Sequence, residues 1–318
     1  MRCDLIMAVW NEPDVTLAAI KSLHEHSQFP YRLIVIDNAS DTPTASMLHD
    51  LAQSGRYGHI EVIRNEHNRG WLRATNQGLS RADADYVCLI NNDIVAGPGW
   101  LKNCIATLER LPDAGLANPR GNERSENQRV KDVSSYAREL AARYPGAYTE
   151  LDHVCGFCMI IKREVLEAIP LLDETFDGGH YEDDDYSRKA QQLGFRCIQC
   201  DDAFVLHTGS VSFKKVPAER QRLIARNRAI YEARWGIQKR LLILYRTSDH
   251  DDIMRRARQG EKLYVVSNRY VNERSFPTSH SNINWLASPL TRVSDRLYFW
   301  LQRCYLRYKR RIDDAYLL

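Results

Sequence analysis

Strand-length apolar runs alternate with amphipathic helical segments through the first third of the chain, and that alternation limits what it can fold into. "DLIMAVW" (4–10), "YRLIVIDN" (31–38), "HIEVIRN" (59–65) and "DYVCLINND" (85–93) are mostly apolar and of strand length. Between them lie "DVTLAAIKSLHEHS" (14–27), "TASMLHDLAQSG" (44–55) and "LRATNQGLSRA" (72–82), with helical apolar spacing and Asp14 placed to cap the first. Such a series predicts βαβ units, hence an α/β fold whose mostly parallel sheet is covered by helices. Ligands of such sheets bind outside the carboxyl ends of the strands. Polar residues collect there: Asn11 and Glu12 after the first strand, Asp37 and Asn38 after the second, Asn91, Asn92 and Asp93 after the fourth.

Beyond residue 118 the pattern changes. Residues 119–150 are polar and basic without a clear strand, and read as a long loop. "DHVCGFCMIIKREV" restores a strand and a short helix. "GFRCIQCDDAFVLHTGSVSF" reads as two short strands ending at His207, and 217–235 as a helix. The expected organisation is a main domain over 1–235, in halves 1–118 and 119–235, then a mixed αβ appendage over 236–288. In the tail, 289–318, Leu290, Val293, Leu297, Trp300, Leu301, Cys304 and Tyr308 recur at helical spacing among arginines and lysines. A basic amphipathic helix of this kind suits the surface of an anionic membrane, and equally packing on the main domain or in a homodimer.

With 27% charged and 44% hydrophobic residues the composition is globular, and a net charge of +3 gives no argument for nucleic acid. No apolar run is long enough to span a bilayer, and "MRCDLIMAVWNE" turns polar too soon for a signal peptide, so a cytoplasmic location is expected. Eight cysteines in 318 residues do not make a secreted disulfide framework. "CGFC" (155–158) and "CIQC" (197–200) repeat a zinc-like spacing, but both lie in strand-like runs where residues i and i+3 face opposite ways. They read as buried core.

Glycine-rich dinucleotide and P-loop signatures, G-x-S-x-G and H-E-x-x-H are all absent. What remains is carboxylates and amides at strand ends, a distant histidine, and four consecutive carboxylates (182–185) opening a helix in "YEDDDYSRKAQQLGF". Like charges so crowded cost free energy unless a cation, a helix end or a proton relieves them. Oxygen donors with one imidazole suit Mg²⁺ or Mn²⁺, and such ions commonly hold a diphosphate, so a nucleotide-diphosphate ligand is the economical expectation.

The order "VWNE", "VIDNASD", "NRGWLRATNQGL", "YVCLINNDIVAGPGWL", "GFCMIIKREV", "LLDETFDGGHYEDDDYSRKAQQLGF", "VLHTGSVSF" resembles glycosyltransferase family 2, of GT-A fold. It is most similar to the bacterial branch, often rhamnosyltransferase-like, that builds O-antigen and capsule. The resemblance covers roughly residues 3–235. It implies an inverting, metal-dependent transfer from a UDP- or dTDP-sugar to a glycan or lipid-linked acceptor, on the inner face of the membrane if the tail binds there. It implies that Asn11, Glu12, Asp37 and Asn38 hold base and ribose, with Asp37 accepting a ring N–H. Asn68, Arg69 and Asn76 would border the nucleotide and diphosphate. "NND" takes the place of a D-x-D motif, with Asn91 for the first Asp, Asn92 beside the donor, and Asp93 and His207 as ligands of Mn²⁺ or Mg²⁺. Asp183 would be the general base, flanked by Glu182, with Asp185 orienting the acceptor and Arg188 or Lys189 offsetting the charge. Trp71 and Trp100 read as packing residues rather than sugar platforms. A sugar-1-phosphate nucleotidyltransferase would want glycines and a lysine in "VWNEPDV", which has neither. A degenerate, scaffold-like relative would have no need of Asp93, Asp183 and His207, all present.

Overall fold

The computed structural model describes residues 1–122, 130–209, 217–244, 250–267, 279–287, 299–300, 302–303 and 314–317. They form two compact units, one of residues 1–148 and 153–231, the other of 149–152 and 232–318.

In the first unit the expected alternation folds as a sheet. β1 (Cys3–Val9), β2 (Tyr31–Asp37), β3 (Ile60–Arg64) and β4 (Tyr86–Ile90) run parallel in the order β3-β2-β1-β4. β1, β4 and most of β2 are buried on both faces because α1 (Pro13–His26), α2 (Thr42–Ser54) and α3 (Trp71–Leu79) connect the strands, while β3 at the sheet's edge is only partly buried. Gly78 lets α3 sit on β1, since a Cβ there would stand 2.4 Å from Ile6 Cγ2. The chain goes from β1 to one side for β2 and β3 and to the other for β4. This switch point opens a crevice at the carboxyl ends of the strands.

Beyond β4 the sheet continues through β8 (Cys158–Lys162, antiparallel), β6 (Ala114–Arg120) and β9 (Arg196–His207), while β5 (Ile94–Ala96) pairs antiparallel with β9. α4 (Trp100–Arg110), α6 (Arg163–Ala168), α7 (Glu182–Gln192) and α8 (Pro217–Trp235) complete the unit. The main core runs from Cys3 to Val205 and includes Trp100, which is fully buried.

Four sequence expectations need correction. Residues 119–150 are not one loop: β6 ends in them, and α5 (Val133–Arg143) and β7 (Tyr148–Leu151) follow. The two strands expected before His207 are one, β9, because Asp201 is paired with Arg120 at 3.0 Å and Asp202 accepts from Gly146 N–H. Asp14 does not cap α1: Glu12 holds that position and Pro13 begins the helix. Cys155 precedes a turn at Gly156 and Phe157 rather than lying in a strand, although Cys158, Cys197 and Cys200 are buried in the core.

The second unit has its own parallel sheet, ordered β13 (Ile283–Ala287), β11 (Lys262–Ser267), β10 (Arg240–Leu244), β14 (Asp314–Leu317), with α9 (His250–Arg258). Thr149 and Glu150 pair with β12 (Ser279–His280). The helix expected over 289–318 does not reach the C-terminus, since 314–317 are strand. Residues 299–300 and 302–303 are helical, and the rest of that segment lies outside the described residues. Among the described residues no helix is long and apolar enough to cross a membrane.

Candidate active site

At the end of β1, Asn11 and Glu12 both take positive φ, 60° and 62°. Asn11 Oδ1 accepts from Asp41 N–H at 2.8 Å and its own N–H donates to Ser40 Oγ, joining the loops after β1 and β2. Asp37 ends β2 and is 1% exposed. One of its oxygens accepts from Ser40 N–H at 2.9 Å, and the other is paired with Arg64. Both oxygens of the residue expected to read the base thus have protein donors. Arg64 was missed in the sequence, though the signal existed: Asp37 and Arg64 end adjacent parallel strands and lie opposite each other in register.

Several expected ligand contacts prove to be braces. Asn38 donates to Asn68 Oδ1 (2.8 Å) and accepts from Asn65 Nδ2 and Arg69 N–H, so it shapes the 65–70 loop. Asn68 Oδ1 also accepts from Gly70 N–H, leaving the exposed Arg69 side chain at the loop's rim. Asn76 does not face the crevice: its amide is spent on both backbone groups of Leu172, at 2.9 Å each, and on Glu174. Asn92 donates to Thr16 Oγ1 on α1.

The histidine 114 positions beyond Asp93 is brought to it by the β5–β9 pairing, which sets Ile94 opposite His207. His207 Nε2 lies 3.1 Å from Asp93 Oδ1 and 3.2 Å from Asn91 Nδ2. Asn122, also missed from sequence, clamps the histidine's backbone through both its N–H and its carbonyl, and Phe157 stacks on the ring at 5.6 Å. Asp93 is 8% exposed, and its Oδ2 is buried without a hydrogen-bond partner. An orphaned carboxylate oxygen beside an imidazole fits a hard divalent cation. Among the described residues no three His, Cys, Asp or Glu side chains converge, so a cation held here would have Asp93 and His207 as ligands and would take the rest from phosphate and water.

The acidic helix faces this pair across the "CGFC" turn. Phe157 O accepts from Asn91 N–H at 2.9 Å, and Gly156 N–H donates to Asp183 Oδ2 at 2.8 Å, so one turn touches both ends of the site. Asn118 holds the turn through Cys155 N–H, Cys155 O and Cys158 O. A Cβ on Gly156 would stand 3.5 Å from the Trp71 ring and 3.6 Å from Asp183 Oδ2, so Trp71, half-buried, borders Asp183.

The four carboxylates are relieved in different ways. Asp183 Oδ1 accepts from Asp184 N–H, a donor of the helix N-terminus. Asp184 lies 3.3 Å from His153 Nδ1. Asp185 is 1% exposed and paired with Lys189 at 2.7 Å, too buried to orient an acceptor as expected, and Lys189 offsets its charge. Glu182 is buried with Oε2 unpartnered. Desolvation first, then Asp183 and Asp184, push its carboxyl well above the ordinary range. Burial and the two acidic neighbours thus favour the protonated form of Glu182.

This sheet, with its crevice and the acidic helix beneath, is the GT-A fold. A mannosyltransferase from Pyrobaculum calidifontis, solved with GDP-Man and Mn²⁺, superposes with a TM-score of 0.54 over 73% of this chain and 64% of that one, at 18% identity. The chain belongs to glycosyl transferase family 2, whose model matches residues 4–169. Protein CgeD of Bacillus subtilis is 23% identical over 187 residues, 58% of this chain and 42% of that protein. The amylovoran biosynthesis glycosyltransferase AmsB of Erwinia amylovora is 22% identical over 61% of this chain and 65% of its own length. The chain spans less than two thirds of either relative.

Proposed function

We propose that this protein is an inverting glycosyltransferase that moves a sugar from a UDP- or dTDP-linked donor to a bacterial glycan or lipid-linked acceptor. One observation carries the reading: a carboxylate–imidazole pair with an orphaned oxygen, Asp93 and His207, is tied through a single turn to a second carboxylate, Asp183. Family membership and a solved neighbour of the same fold holding a nucleotide sugar and Mn²⁺ support it.

Asp93 and His207, with Asn91 behind them, would hold Mn²⁺ or Mg²⁺. Such an ion supplies charge stabilisation to a departing diphosphate. Asp183 takes the proton of the acceptor hydroxyl as its oxygen bonds to C1 and the bond from C1 to the diphosphate oxygen breaks. Asn11, Glu12 and Asp37 line the nucleotide end, and Arg64 turns away from Asp37 when a base N–H replaces it. Asn38 and Asn68 hold the loop that carries Arg69 to the phosphates. A lipid-linked acceptor would place the enzyme at the inner face of the membrane, with the basic tail as its contact.

Two measurements test the reading. Nucleotide release from UDP- and dTDP-sugars should need Mn²⁺ or Mg²⁺ and stop in excess chelator. Asp183→Asn should lower kcat by ~10²-fold or more while calorimetry shows donor binding nearly unchanged. Undiminished turnover in the variant removes the base; undiminished turnover in chelator removes the metal.

A further inference from the structure

The chain reaches the acidic helix by an unusual path. Gly178, Gly179, His180 and Tyr181 all have positive φ, at 88°, 89°, 71° and 75°. Glycine takes such angles freely; histidine and tyrosine do not. A strained run of this kind persists only where surrounding structure over-determines it.

That structure is α8. Leu223, Asn227 and Tyr231 lie four residues apart and so share one face of the helix. Leu223 closes on Gly178, where a Cβ would stand 2.8 Å from its Cδ2. Tyr231 packs on the Tyr181 ring at 5.4 Å, and its hydroxyl accepts from Arg188 Nε at 3.3 Å. Between them Asn227, fully buried, donates through Nδ2 to the carbonyls of Phe176 (3.2 Å), Gly179 (2.8 Å) and His180 (3.2 Å). Its Oδ1 has no partner, so this side chain serves as a donor alone. Two residues after His180, α7 begins its first turn with Glu182 and Asp183.

We propose that Asn227 is a positioning residue: it ties down the left-handed approach and thereby sets where the first turn of α7 presents Asp183. The catalytic half of this inference rests on the reading of Asp183 as the base. Asn227→Leu keeps the approximate volume and removes the donors; Asn227→Ser keeps one donor with less bulk.

Hydrogen exchange on the whole chain reads the tie directly. In both variants amides 178–185 should exchange at least tenfold faster, while β1, β2 and β4 keep their protection. With whichever UDP- or dTDP-sugar turns over with Mn²⁺, Asn227→Leu should lower kcat at least tenfold and leave the donor Kd within twofold. Added to Asp183→Asn it should cost nothing further, because a residue acting through another is silent once that one is gone. Wild-type exchange at 178–185 overturns the proposal. So does faster exchange spread over the whole chain, which would make Asn227 a general stabiliser, or a loss that multiplies with that of Asp183→Asn. Full turnover by Asp183→Asn alone, with exchange still raised in the Asn227 variants, strikes the base assignment and leaves the tie standing.

Discussion

Glu182 lies buried beside Asp183 with an oxygen that nothing donates to, and its carboxyl is held well above the ordinary range. A raised carboxyl means the folded chain keeps a proton the unfolded chain has lost. The resulting stability is full below about pH 4 and declines as pH rises towards the folded value. Glu182→Gln, which copies the neutral acid, should therefore match wild type near pH 4 and become progressively the more stable form as pH rises. Urea midpoints at pH 5, 7 and 9 check this, and parallel curves for the two proteins would show that Glu182 is ionised. Asp93, Asp183 and His207 stood out in the sequence because each sits in one of the ordered motifs, and the structure brings Asp93 and His207 within 3.1 Å. Asn227 was not: a lone asparagine in a polar helix carries no periodic signal, and only the three carbonyls in front of it reveal its use. The same holds for Asn122 and Arg64, whose partners lie 85 and 27 positions away.

The elements were legible where apolar burial dictates them and obscure where polar pairs do. β1, β2 and β4 are mostly apolar, and their spacing predicts the parallel sheet. α5 buries only Ala137 and Leu140, and its start depends on Asp132 accepting from Ser135 N–H, so the segment read as loop. One buried charge also joins the predicted strands. Asp4 on β1 is 0% exposed, accepts from Arg32 on β2 at 3.0 and 2.8 Å, and takes the N–H groups of Asp83 and Ala84 before β4. Burial alone would raise its carboxyl, but Arg32 and the two N–H groups outweigh that and hold it below the ordinary range. Asp4→Asn removes the buried partner of Arg32, which keeps Asp83 at 2.9 Å and Glu61 at 3.7 Å, and should cost about 1.5–3 kcal/mol at pH 7, the usual worth of hydrogen bonds to a charged group. Because the native carboxyl is depressed, its contribution is present above about pH 4 and lost as pH falls through the folded value. The gap between mutant and wild-type denaturation midpoints should accordingly narrow in acid, and a gap that stays constant to pH 3 would count against the pair.

For the whole molecule, the site and the second unit draw on different residues. Asp37, Asp93, Asp183 and His207 all belong to residues 1–148 and 153–231, and the core beneath them runs from Cys3 to Val205. The other unit packs Leu241, Ile243, Ile253, Ala257, Leu263 and Val265 around its own sheet. Its buried Glu150, 2% exposed, meets Arg258 at 2.7 Å. Separate cores predict two calorimetric transitions. A ligand that binds only the folded form stabilises by mass action, about 2.7 kcal/mol at a hundredfold excess over Kd. For a unit of 150–250 residues each kcal/mol is worth roughly 2–4 °C. Donor with Mn²⁺ should therefore raise one transition by about 5–10 °C and leave the other in place. Arg258→Ala, which takes this partner from Glu150, should lower only the transition that the donor does not move. A single transition shifted by both would mean that the units unfold together.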